Sequence, residues 1–303
     1  MTLVFPQRVL FFPVTPMDAD GTVLPDVLDE HLATRLVHNP GAVFIACGTG
    51  EFHALSLAEY TLVVARGVAV TAGKVPVVAG TGGPLGHAIE CARAAAAAGA
   101  DALLVMPPYL VTGPQAGLVA YVEAIAAATE LPLIVYHRGT ATLSVASVEV
   151  LAANPRVAGF KDGVGDIALA QEFVLAAARS GRTDLQFFNG LLTAELSQRA
   201  YRAIGVPLYS SAVFAMAPEI ANVWFDAYSA GDESRVGQLL DAFYAPLVRL
   251  RDTTPGYAVA LIKAGLQLGG LSVGGVRPPL VDPSAEHRER LAAILERGSE
   301  LVA

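Results

Sequence analysis

Eight short runs of apolar residues recur along the 303-residue chain, and a longer stretch with helical patterning comes after each of them. The runs cover residues 9–14, 42–47, 75–79, 102–106, 133–136, 157–161, 185–188 and 206–209. They lack alternation of apolar and polar residues, which is typical of parallel strands that are buried on both faces. Eight such strands, each followed by a helix, predict a closed (β/α)8 TIM barrel of the α/β class.

The helical stretches predict the extent of the barrel and of a C-terminal extension. They lie at residues 25–38, 57–71, 86–98, 114–129, 147–153, 167–179, 193–204 and 218–229, and three more lie at 233–250, 257–268 and 283–296. No linker rich in Pro, Gly or Ser separates the last three from the barrel. We therefore predict a barrel over residues 1–230 and a C-terminal helical extension over 231–303 that packs on it as a single structural unit.

Charge and hydropathy argue against two classes of partner. The chain has 28 acidic residues against 20 Lys and Arg, a formal net charge of −8, and no basic run. Affinity for nucleic acid depends on Lys and Arg that meet phosphates, so we expect no nucleic-acid partner. The first residues lack the basic start of a signal peptide, and no uninterrupted apolar stretch of about 18 residues occurs. We expect a soluble, cytoplasmic protein with no membrane partner.

The cysteines and histidines do not suggest a metal site. Cys47 and Cys91 are the only cysteines, too few for a disulfide framework. They also lack the spacing and the His partners of metal ligands, and the six histidines are scattered along the chain. We expect no bound metal.

Lysine is the most informative residue type because the chain has only Lys74, Lys161 and Lys263. Lys74 precedes the third strand, and Lys263 falls in the C-terminal helical region, where we expect it to be solvated. Lys161 alone ends an apolar strand, at the edge of the barrel where active sites lie, and burial there should lower its pKa. A lysine of lowered pKa can form a Schiff base with a ketone. The alternative is a structural ion pair with Asp162 or Glu51.

Tyr136 ends the fifth predicted strand as Lys161 ends the sixth. Neighbouring strands lie about 4.8 Å apart, so a phenol and an amine at matching heights can meet. A tyrosine in this place could transfer protons to and from the carbinolamine. The alternative is an aromatic residue that fills the barrel mouth, with its hydroxyl hydrogen-bonded to a neighbour.

These residues resemble the dihydrodipicolinate synthase and N-acetylneuraminate lyase superfamily of aldolase-type barrels, over nearly the whole chain. The resemblance rests on five segments in order: Phe-Pro-Val-Thr-Pro at 12–16, Gly-Thr-Gly-Glu at 48–51, Tyr136, Gly-Phe-Lys-Asp at 159–162 and Ala-Pro at 217–218. It implies that Lys161 is the Schiff-base lysine and Tyr136 the proton shuttle. It also implies that the Thr49 hydroxyl links Tyr136 to the carboxylate region of the substrate.

Departures from the commoner superfamily pattern point to a subfamily. Gly48 replaces a hydroxyl residue, and Leu110 takes the place of a second tyrosine. The segments at 48–52, 107–110, 160–163, 188–190 and 209–214 together resemble the 5-dehydro-4-deoxyglucarate dehydratases. The strand-five segment of that subfamily usually reads Tyr-Asn-Arg, and the Tyr-His-Arg at 136–138 keeps the arginine and changes the middle residue. The resemblance implies a decarboxylating dehydration of 5-dehydro-4-deoxy-D-glucarate to 2,5-dioxopentanoate through the Schiff base of Lys161. That lysine supplies the electron sink, so no organic cofactor is expected.

A substrate with a carboxylate at each end needs two anion sites. We expect the keto-acid end on the backbone amides of Gly48 and Thr49 and on the Thr49 hydroxyl, since a glycine lets N–H groups approach closely. Arg138 could form a two-point contact with the distal carboxylate. The alternative interpretation is that Arg138 is a solvated loop arginine with no ligand. Asn189 and Ser210 are candidates for contacts with substrate hydroxyls, with turn and helix-cap roles as their alternatives.

Two other functions stay open from the sequence. The first is a related Schiff-base aldolase or synthase that acts on another 2-keto acid, such as a 2-keto-3-deoxy sugar acid aldolase or dihydrodipicolinate synthase. Leu110, Gly48 and Arg138 argue against the synthase more firmly than against an aldolase. The second is a non-catalytic barrel that binds a keto acid, against which the presence of both Lys161 and Tyr136 argues. The superfamily resemblance also implies a homo-oligomer, a dimer or tetramer.

Overall fold

The computed structural model describes residues 3–303, so the first two residues of the predicted barrel range lie outside the description. Eight parallel strands close into a barrel in chain order, with β8 pairing with β1. They are β1 Leu10–Phe11, β2 Ala42–Ile45, β3 Val77–Thr81, β4 Ala102–Val105, β5 Leu133–His137, β6 Val157–Asp162, β7 Gln186–Asn189 and β8 Leu208–Ser211. Each overlaps a predicted run, and the predicted (β/α)8 barrel is confirmed.

Nine helices accompany the strands of the described barrel. They are α1 Pro25–Leu36, α2 Leu57–Thr71, α3 Leu85–Ala98, α4 Gln115–Ala126, α5 Val145–Ala152, α6 Ile167–Arg179, α7 Gln198–Ala203, α8 Val213–Met216 and α9 Pro218–Ala230. α2 and α6 have the predicted bounds because strong N-caps start them: Ser56 and Glu59 form a capping box, and Asp166 accepts from the Leu169 N–H.

Apart from helix ends that are displaced by one to three residues, two features of the barrel helices differ from the prediction. The stretch at 193–204 forms only a 3₁₀ turn, Ala194–Leu196, followed by α7. The backbone of Thr193 is left-handed (φ 54°, ψ 63°), which is incompatible with a regular helix start at that residue. The short helix α8 was not predicted.

No helix within residues 3–303 is long and apolar enough to cross a membrane.

The N-terminal segment closes the barrel at the amino ends of its strands. The Phe5 backbone N–H donates to Gln186 Oε1 at 2.8 Å, and Gln186 Nε2 donates to the Leu3 carbonyl at 2.7 Å. The Phe5 ring packs on Phe44 and Phe188 inside the barrel, with ring centroids 5.9 and 5.5 Å away. Both faces of the strands are buried, which explains why their sequences do not alternate. The amino ends are thus filled, and a ligand must enter from the carboxyl ends.

The C-terminal segment forms helices that pack against α8 and α9. They are α10 Glu233–Leu239, a π-helical turn Leu240–Tyr244, α11 Ala245–Arg251, α12 Tyr257–Leu268 and α13 Ala285–Val302. The predicted helix at 233–250 is therefore interrupted by the π turn, and α13 is longer than predicted. The approach of α13 is close: a Cβ added at Gly298 would lie 2.5 Å from Phe243 Cδ2 and 2.6 Å from Ile220 Cδ1.

The expectation that Lys263 is solvated is wrong. The residue lies on α12 with 1% of its surface exposed, and its Nζ is 2.5 Å from Glu51 Oε1 and 2.6 Å from the Gly275 carbonyl. The Arg277 backbone N–H donates to the other Glu51 oxygen at 2.8 Å. A buried ammonium requires a charge partner, and Glu51 supplies it from the loop after β2. These contacts fasten the C-terminal segment to the Gly-Thr-Gly-Glu loop.

Candidate active site

A cavity of about 760 Å³ opens at the carboxyl ends of the strands, between the barrel mouth and the C-terminal helices. Its barrel side includes Lys161, Tyr136, Arg138 and the loop at 48–49. Its other side comes from the end of α11, the loop after it and the first turn of α12. This is the face of the barrel on which the fold places catalytic groups.

Lys161 and Tyr136 are directly paired across neighbouring strands. Their Cα atoms are register partners between β6 and β5. The Lys161 Nζ lies 4.4 Å from the centroid of the Tyr136 ring and 4.3 Å from that of Phe12. Burial lowers the pKa of the Lys161 ammonium, the nearby Tyr136 and Cys47 partly offset this, and the Arg138 charge lowers it further. A lowered pKa raises the fraction of neutral amine, the form that attacks a ketone.

The ion pair considered for Lys161 is absent from the described residues. Asp162 faces away from the cavity, where its carboxylate accepts from the Val164 N–H at 2.9 Å and from the Tyr201 hydroxyl. Glu51 is occupied by Lys263. Because side chains alternate along a strand, Lys161 and Asp162 necessarily point to opposite faces. The amine is therefore available to a ligand in the cavity.

The hydroxyl of Tyr136 is held by two polar neighbours. It donates to the Gly190 carbonyl at 2.7 Å and accepts from Arg138 Nη1 at 2.8 Å. The Arg138 guanidinium carbon also lies 5.7 Å from the centre of the Tyr136 ring. Arg138 is therefore a partly buried cavity residue rather than a solvated loop arginine.

Gly48 and Thr49 line the cavity, but the predicted link between Thr49 and Tyr136 is not made in this structure. The two hydrogen bonds of the Tyr136 hydroxyl go to Gly190 and Arg138. A Cβ added at Gly48 would meet no atom within 4 Å, so the glycine leaves open space beside its backbone. The backbone of this loop is thus accessible from the cavity.

The structure does not bring Asn189 to the cavity. Its side chain is fully buried, and Nδ2 donates to the Ala194 carbonyl, Ser197 Oγ and Gln198 Oε1 at 3.2, 3.0 and 3.1 Å. Its Oδ1 accepts from the Leu191 N–H at 3.1 Å. The turn-capping alternative therefore describes Asn189. Ser210, by contrast, lines the cavity, and its hydroxyl donates to the Asn189 carbonyl at 3.4 Å.

Two glycines that sequence reasoning missed are needed beside the paired residues. A Cβ at Gly190 would lie 2.6 Å from Lys161 Cε and 2.7 Å from Lys161 Cγ. A Cβ at Gly163 would lie 2.7 Å from Tyr136 Cε2. Real Cβ contacts are not this short, so these positions must lack side chains for Lys161 and Tyr136 to lie where they do. The available signal was a glycine directly after strands six and seven.

His137 supports the loop that carries Arg138 and does not line the cavity. Its Nδ1 accepts from the Leu143 N–H at 2.8 Å, and its ring packs edge-on against Phe173. Burial lowers the pKa of His137, with a smaller opposing effect of Asp162, so the ring is a neutral acceptor at pH 7. His137, which stands where the Tyr-Asn-Arg pattern has Asn, therefore lies outside the cavity lining.

Within residues 3–303 there is no group of three or more His, Cys, Asp or Glu residues placed to hold a metal ion.

The C-terminal helices contribute Arg251 and the first residues of α12 to the cavity wall. Nothing in the local sequence around these residues pointed to the site, since they lie far from the barrel strands along the chain.

The chain is similar to known proteins over nearly its whole length. Residues 5–298 match the model of the dihydrodipicolinate synthetase family. A Streptomyces coelicolor protein named "Probable 5-dehydro-4-deoxyglucarate dehydratase 2" is 52% identical over 97% of this chain and 90% of its own length. An Azotobacter vinelandii protein named "Probable 5-dehydro-4-deoxyglucarate dehydratase" is 40% identical over 97% of this chain and 96% of its own.

Solved structures show the same fold. Dihydrodipicolinate synthase from Oceanobacillus iheyensis superposes with a TM-score of 0.89 at 24% identity, covering 98% of this chain and 97% of that one. The enzyme from Acinetobacter baumannii, solved in complex with pyruvate, has a TM-score of 0.84 at 28% identity, covering 97% of this chain and 99% of that one. With a family match over nearly its whole length, the chain belongs to the dihydrodipicolinate synthetase family.

Proposed function

We propose that the chain is a decarboxylating hydro-lyase that converts 5-dehydro-4-deoxy-D-glucarate to 2,5-dioxopentanoate, carbon dioxide and water. The observation that carries this function is the pairing of Lys161 with Tyr136 at the mouth of the barrel. The sequence of the chain is also about half identical to those of relatives named 5-dehydro-4-deoxyglucarate dehydratase. The substrate is a small keto-dicarboxylate, and the reaction uses a Schiff base in place of a metal or organic cofactor.

The first step joins Lys161 to the substrate. The neutral Nζ adds to the ketone carbon, and the carbinolamine loses water to give an iminium. The Tyr136 hydroxyl, held by Gly190 and Arg138, lies beside the amine and carries protons to and from the carbinolamine oxygen. The iminium then accepts electrons from the adjacent methylene, whose proton becomes acidic.

Two eliminations depend on that electron sink. Loss of the methylene proton and of the neighbouring hydroxyl, as water, gives a conjugated iminium. The distal carboxylate then leaves as carbon dioxide, and its bond electrons move through the conjugated chain to the nitrogen. The resulting dienamine takes up a proton on the carbon next to the C–N carbon, which restores the iminium. The carbon that lost the carboxylate is now the hydroxyl-bearing carbon of an enol, which becomes the aldehyde as a proton moves from its oxygen to the neighbouring carbon. Hydrolysis of the iminium returns the Lys161 amine and the 2-oxo group, and one proton is consumed overall.

The cavity supports a two-ended placement of the substrate. The keto-acid carboxylate binds the backbone amides at Gly48 and Thr49 and the Thr49 hydroxyl, where the missing side chain leaves room. Arg138 holds the distal carboxylate with the donors that Tyr136 does not use, and Ser210 contacts a substrate hydroxyl.

A cytoplasmic location and a homo-oligomeric state stay predictions. Light scattering of the purified protein tests the homo-oligomeric state.

The test is a product assay on 5-dehydro-4-deoxyglucarate. We expect carbon dioxide and 2,5-dioxopentanoate in equal amounts, and borohydride should fix the ligand's mass on the peptide that contains Lys161. Lys161→Ala should lose both turnover and adduct. The matched control is Lys74→Ala, since Lys74 is exposed and far from the cavity lining. Pyruvate without carbon dioxide would replace the dehydratase with an aldolase, and an adduct without turnover would leave only a binding protein.

A further inference from the structure

Arg251 is a cavity residue that the mechanism above does not use. It is the last residue of α11, in the C-terminal extension, and it lines the same cavity as Lys161 and Arg138. Its side chain is largely buried, with 16% of its surface exposed. A buried guanidinium facing a substrate cavity is a candidate for binding an anion.

The guanidinium of Arg251 is held in one orientation by two neighbours. Its Nε donates to Asp252 Oδ1 at 2.8 Å, and its Nη1 donates to Thr193 Oγ1 at 2.8 Å. Among residues 3–303, its Nη2 has no hydrogen-bond partner. A fixed guanidinium with a spare donor is preorganised for a carboxylate, because little side-chain freedom is lost when the ligand binds.

The backbone around this arginine shows the strain that is common at binding sites. Thr193 is β-branched and has a φ of 54°, a conformation that such residues rarely adopt. Its hydroxyl accepts a hydrogen bond from Arg251 at the cavity wall. The first turn of α12, at 257–259, lines the same wall, and the amino end of a helix carries partial positive charge.

The balance of charge in the cavity is opposite to that of the protein. The chain has a formal net charge of −8. The cavity lining nevertheless contains Arg138, Arg251 and Lys161, and Asp252 is the only carboxylate among the lining residues that the structure describes. Asp252 offsets one of the two arginine charges, and the Lys161 amine reacts in its neutral form, so the lining keeps a net positive charge from its arginines in an acidic molecule, as expected for an anionic ligand.

We propose that Arg251, together with Arg138, binds the carboxylate remote from the ketone, and so makes the cavity select keto-dicarboxylates over keto-monocarboxylates of the same length. The inference rests on the proposed function for the identity of the natural dicarboxylate. The selectivity itself concerns binding, and it can be measured without turnover.

Two keto acids that form the iminium but lack the hydroxyl eliminated in the next step isolate the effect of the remote carboxylate. 2-Oxoadipate has the length of the proposed substrate and both carboxylates but lacks its hydroxyls, and 2-oxohexanoate lacks the remote carboxylate. Borohydride trapping on Lys161 gives a half-saturation concentration for each. We expect wild type to prefer 2-oxoadipate, and Arg251→Gln to reduce that preference about 10- to 100-fold, the usual effect of one charge-assisted contact. Half-saturation for 2-oxohexanoate should change less than about twofold, since it makes no contact with Arg251.

Further variants separate binding from support of the fold. Arg251→Lys keeps the charge without the planar fork and should restore part of the preference. Arg249→Gln, an exposed arginine on the same helix, should leave it unchanged. Equal weakening of both keto acids in Arg251→Gln, or an unchanged preference, would overturn the proposal. Failure of the product assay with the Arg251 effect intact would instead count against the dehydratase alone.

Discussion

At the scale of single residues, the position of the Lys161 side chain depends on a neighbour that has no side chain at all. Gly190 follows β7, and its Cα approaches Lys161 so closely that an added Cβ would lie 2.6 Å from Cε. Its carbonyl also accepts from the Tyr136 hydroxyl. One glycine therefore sets the position of both residues that we assign to the Schiff-base chemistry.

Gly190→Ala should displace the Lys161 amine. Its Cβ would also lie 2.8 Å from the Asp162 carbonyl oxygen, so far-ultraviolet circular dichroism must accompany the assay to show that the barrel stays folded. A displacement of about 1 Å at a reacting group can cost about 100-fold in rate, and we expect a loss of this order in borohydride trapping with pyruvate. Gly86→Ala, at a helical position where a Cβ meets nothing within 4 Å, is the control and should trap normally. Wild-type trapping by Gly190→Ala would mean that Lys161 can react from another rotamer.

Tyr136→Phe removes the hydroxyl that Gly190 and Arg138 hold and keeps the ring beside the amine. Acid-base groups contribute about 10²–10⁴-fold, so we expect kcat to fall within that range. The far-ultraviolet circular dichroism spectrum should stay unchanged. A loss of less than about fivefold would show that water or another group carries the proton and that the ring is only packing.

At the scale of elements, one buried ion pair joins the loop after β2 to α12. Glu51 is fully buried, and Lys263 is almost so. Burial lowers the pKa of Lys263, and the nearby Glu51 charge opposes that effect. Removing one partner leaves an uncompensated charge inside the protein, which costs about 3–5 kcal/mol, whereas replacing both is often neutral.

Lys263→Met should therefore lower the free energy of unfolding by about 3–5 kcal/mol, measured by urea denaturation at pH 7. The double variant Glu51→Gln/Lys263→Met should recover most of this loss. Because Glu51 ends the Gly48–Glu51 loop, the single variant should also raise KM for the keto acid. If the two single substitutions prove additive in the double variant, the pair is not coupled and the proposed fastening is incorrect.

The same contacts indicate whether the barrel and the C-terminal extension unfold together or separately. We propose that the barrel over 1–230 and the extension over 231–303 behave as one cooperative unit, supported by the Lys263–Glu51 pair and by the packing of α13 at Gly298. Circular dichroism and the fluorescence of Trp224, which lies in α9, should report one coincident transition. Separate transitions would make the extension an independent domain.

At the scale of the whole molecule, one buried acid should make a contribution to stability that is lost as the pH rises. Glu195 is buried behind β8, and burial raises the pKa of its carboxyl from 4.5 to about 7, although the Ser211 hydroxyl opposes this by donating to it at 2.5 Å. The folded protein thus keeps this proton where the unfolded chain releases it. Stability from Glu195 is fully present below about pH 4.5 and is lost as the pH rises through 7.

Glu195→Gln should remove this contribution. A shift of this size corresponds to a loss on the order of 3 kcal/mol in the contribution of Glu195 between pH 4.5 and 8, since each pKa unit is about 1.4 kcal/mol. The free energy of unfolding of the variant, relative to that of wild type at the same pH, should therefore rise between pH 5.5 and pH 8, measured by urea denaturation. A difference between variant and wild type that does not change with pH would place the Glu195 pKa near its ordinary value.

Several properties of the molecule were determined by the amino-acid sequence alone. The eight strands and most helices were predictable because burial on both faces leaves a continuous apolar run, and because caps such as Ser56 act within one turn of helix. Lys161 stood out because it is one of three lysines and alone ends a strand. Its height relative to Tyr136 was predictable from the parallel register of neighbouring strands.

Other properties were decided only by the tertiary structure. Asn189 and Gly190 are adjacent in sequence, yet the first caps a turn and the second touches Lys161, since a strand end directs successive residues to opposite sides. Lys263 is buried against Glu51, and Arg251 reaches the cavity, because the extension folds back over the barrel mouth. Such contacts join residues that lie far apart along the chain. Local patterns predict elements, but the free energy of burying a charge depends on what the rest of the fold places beside it.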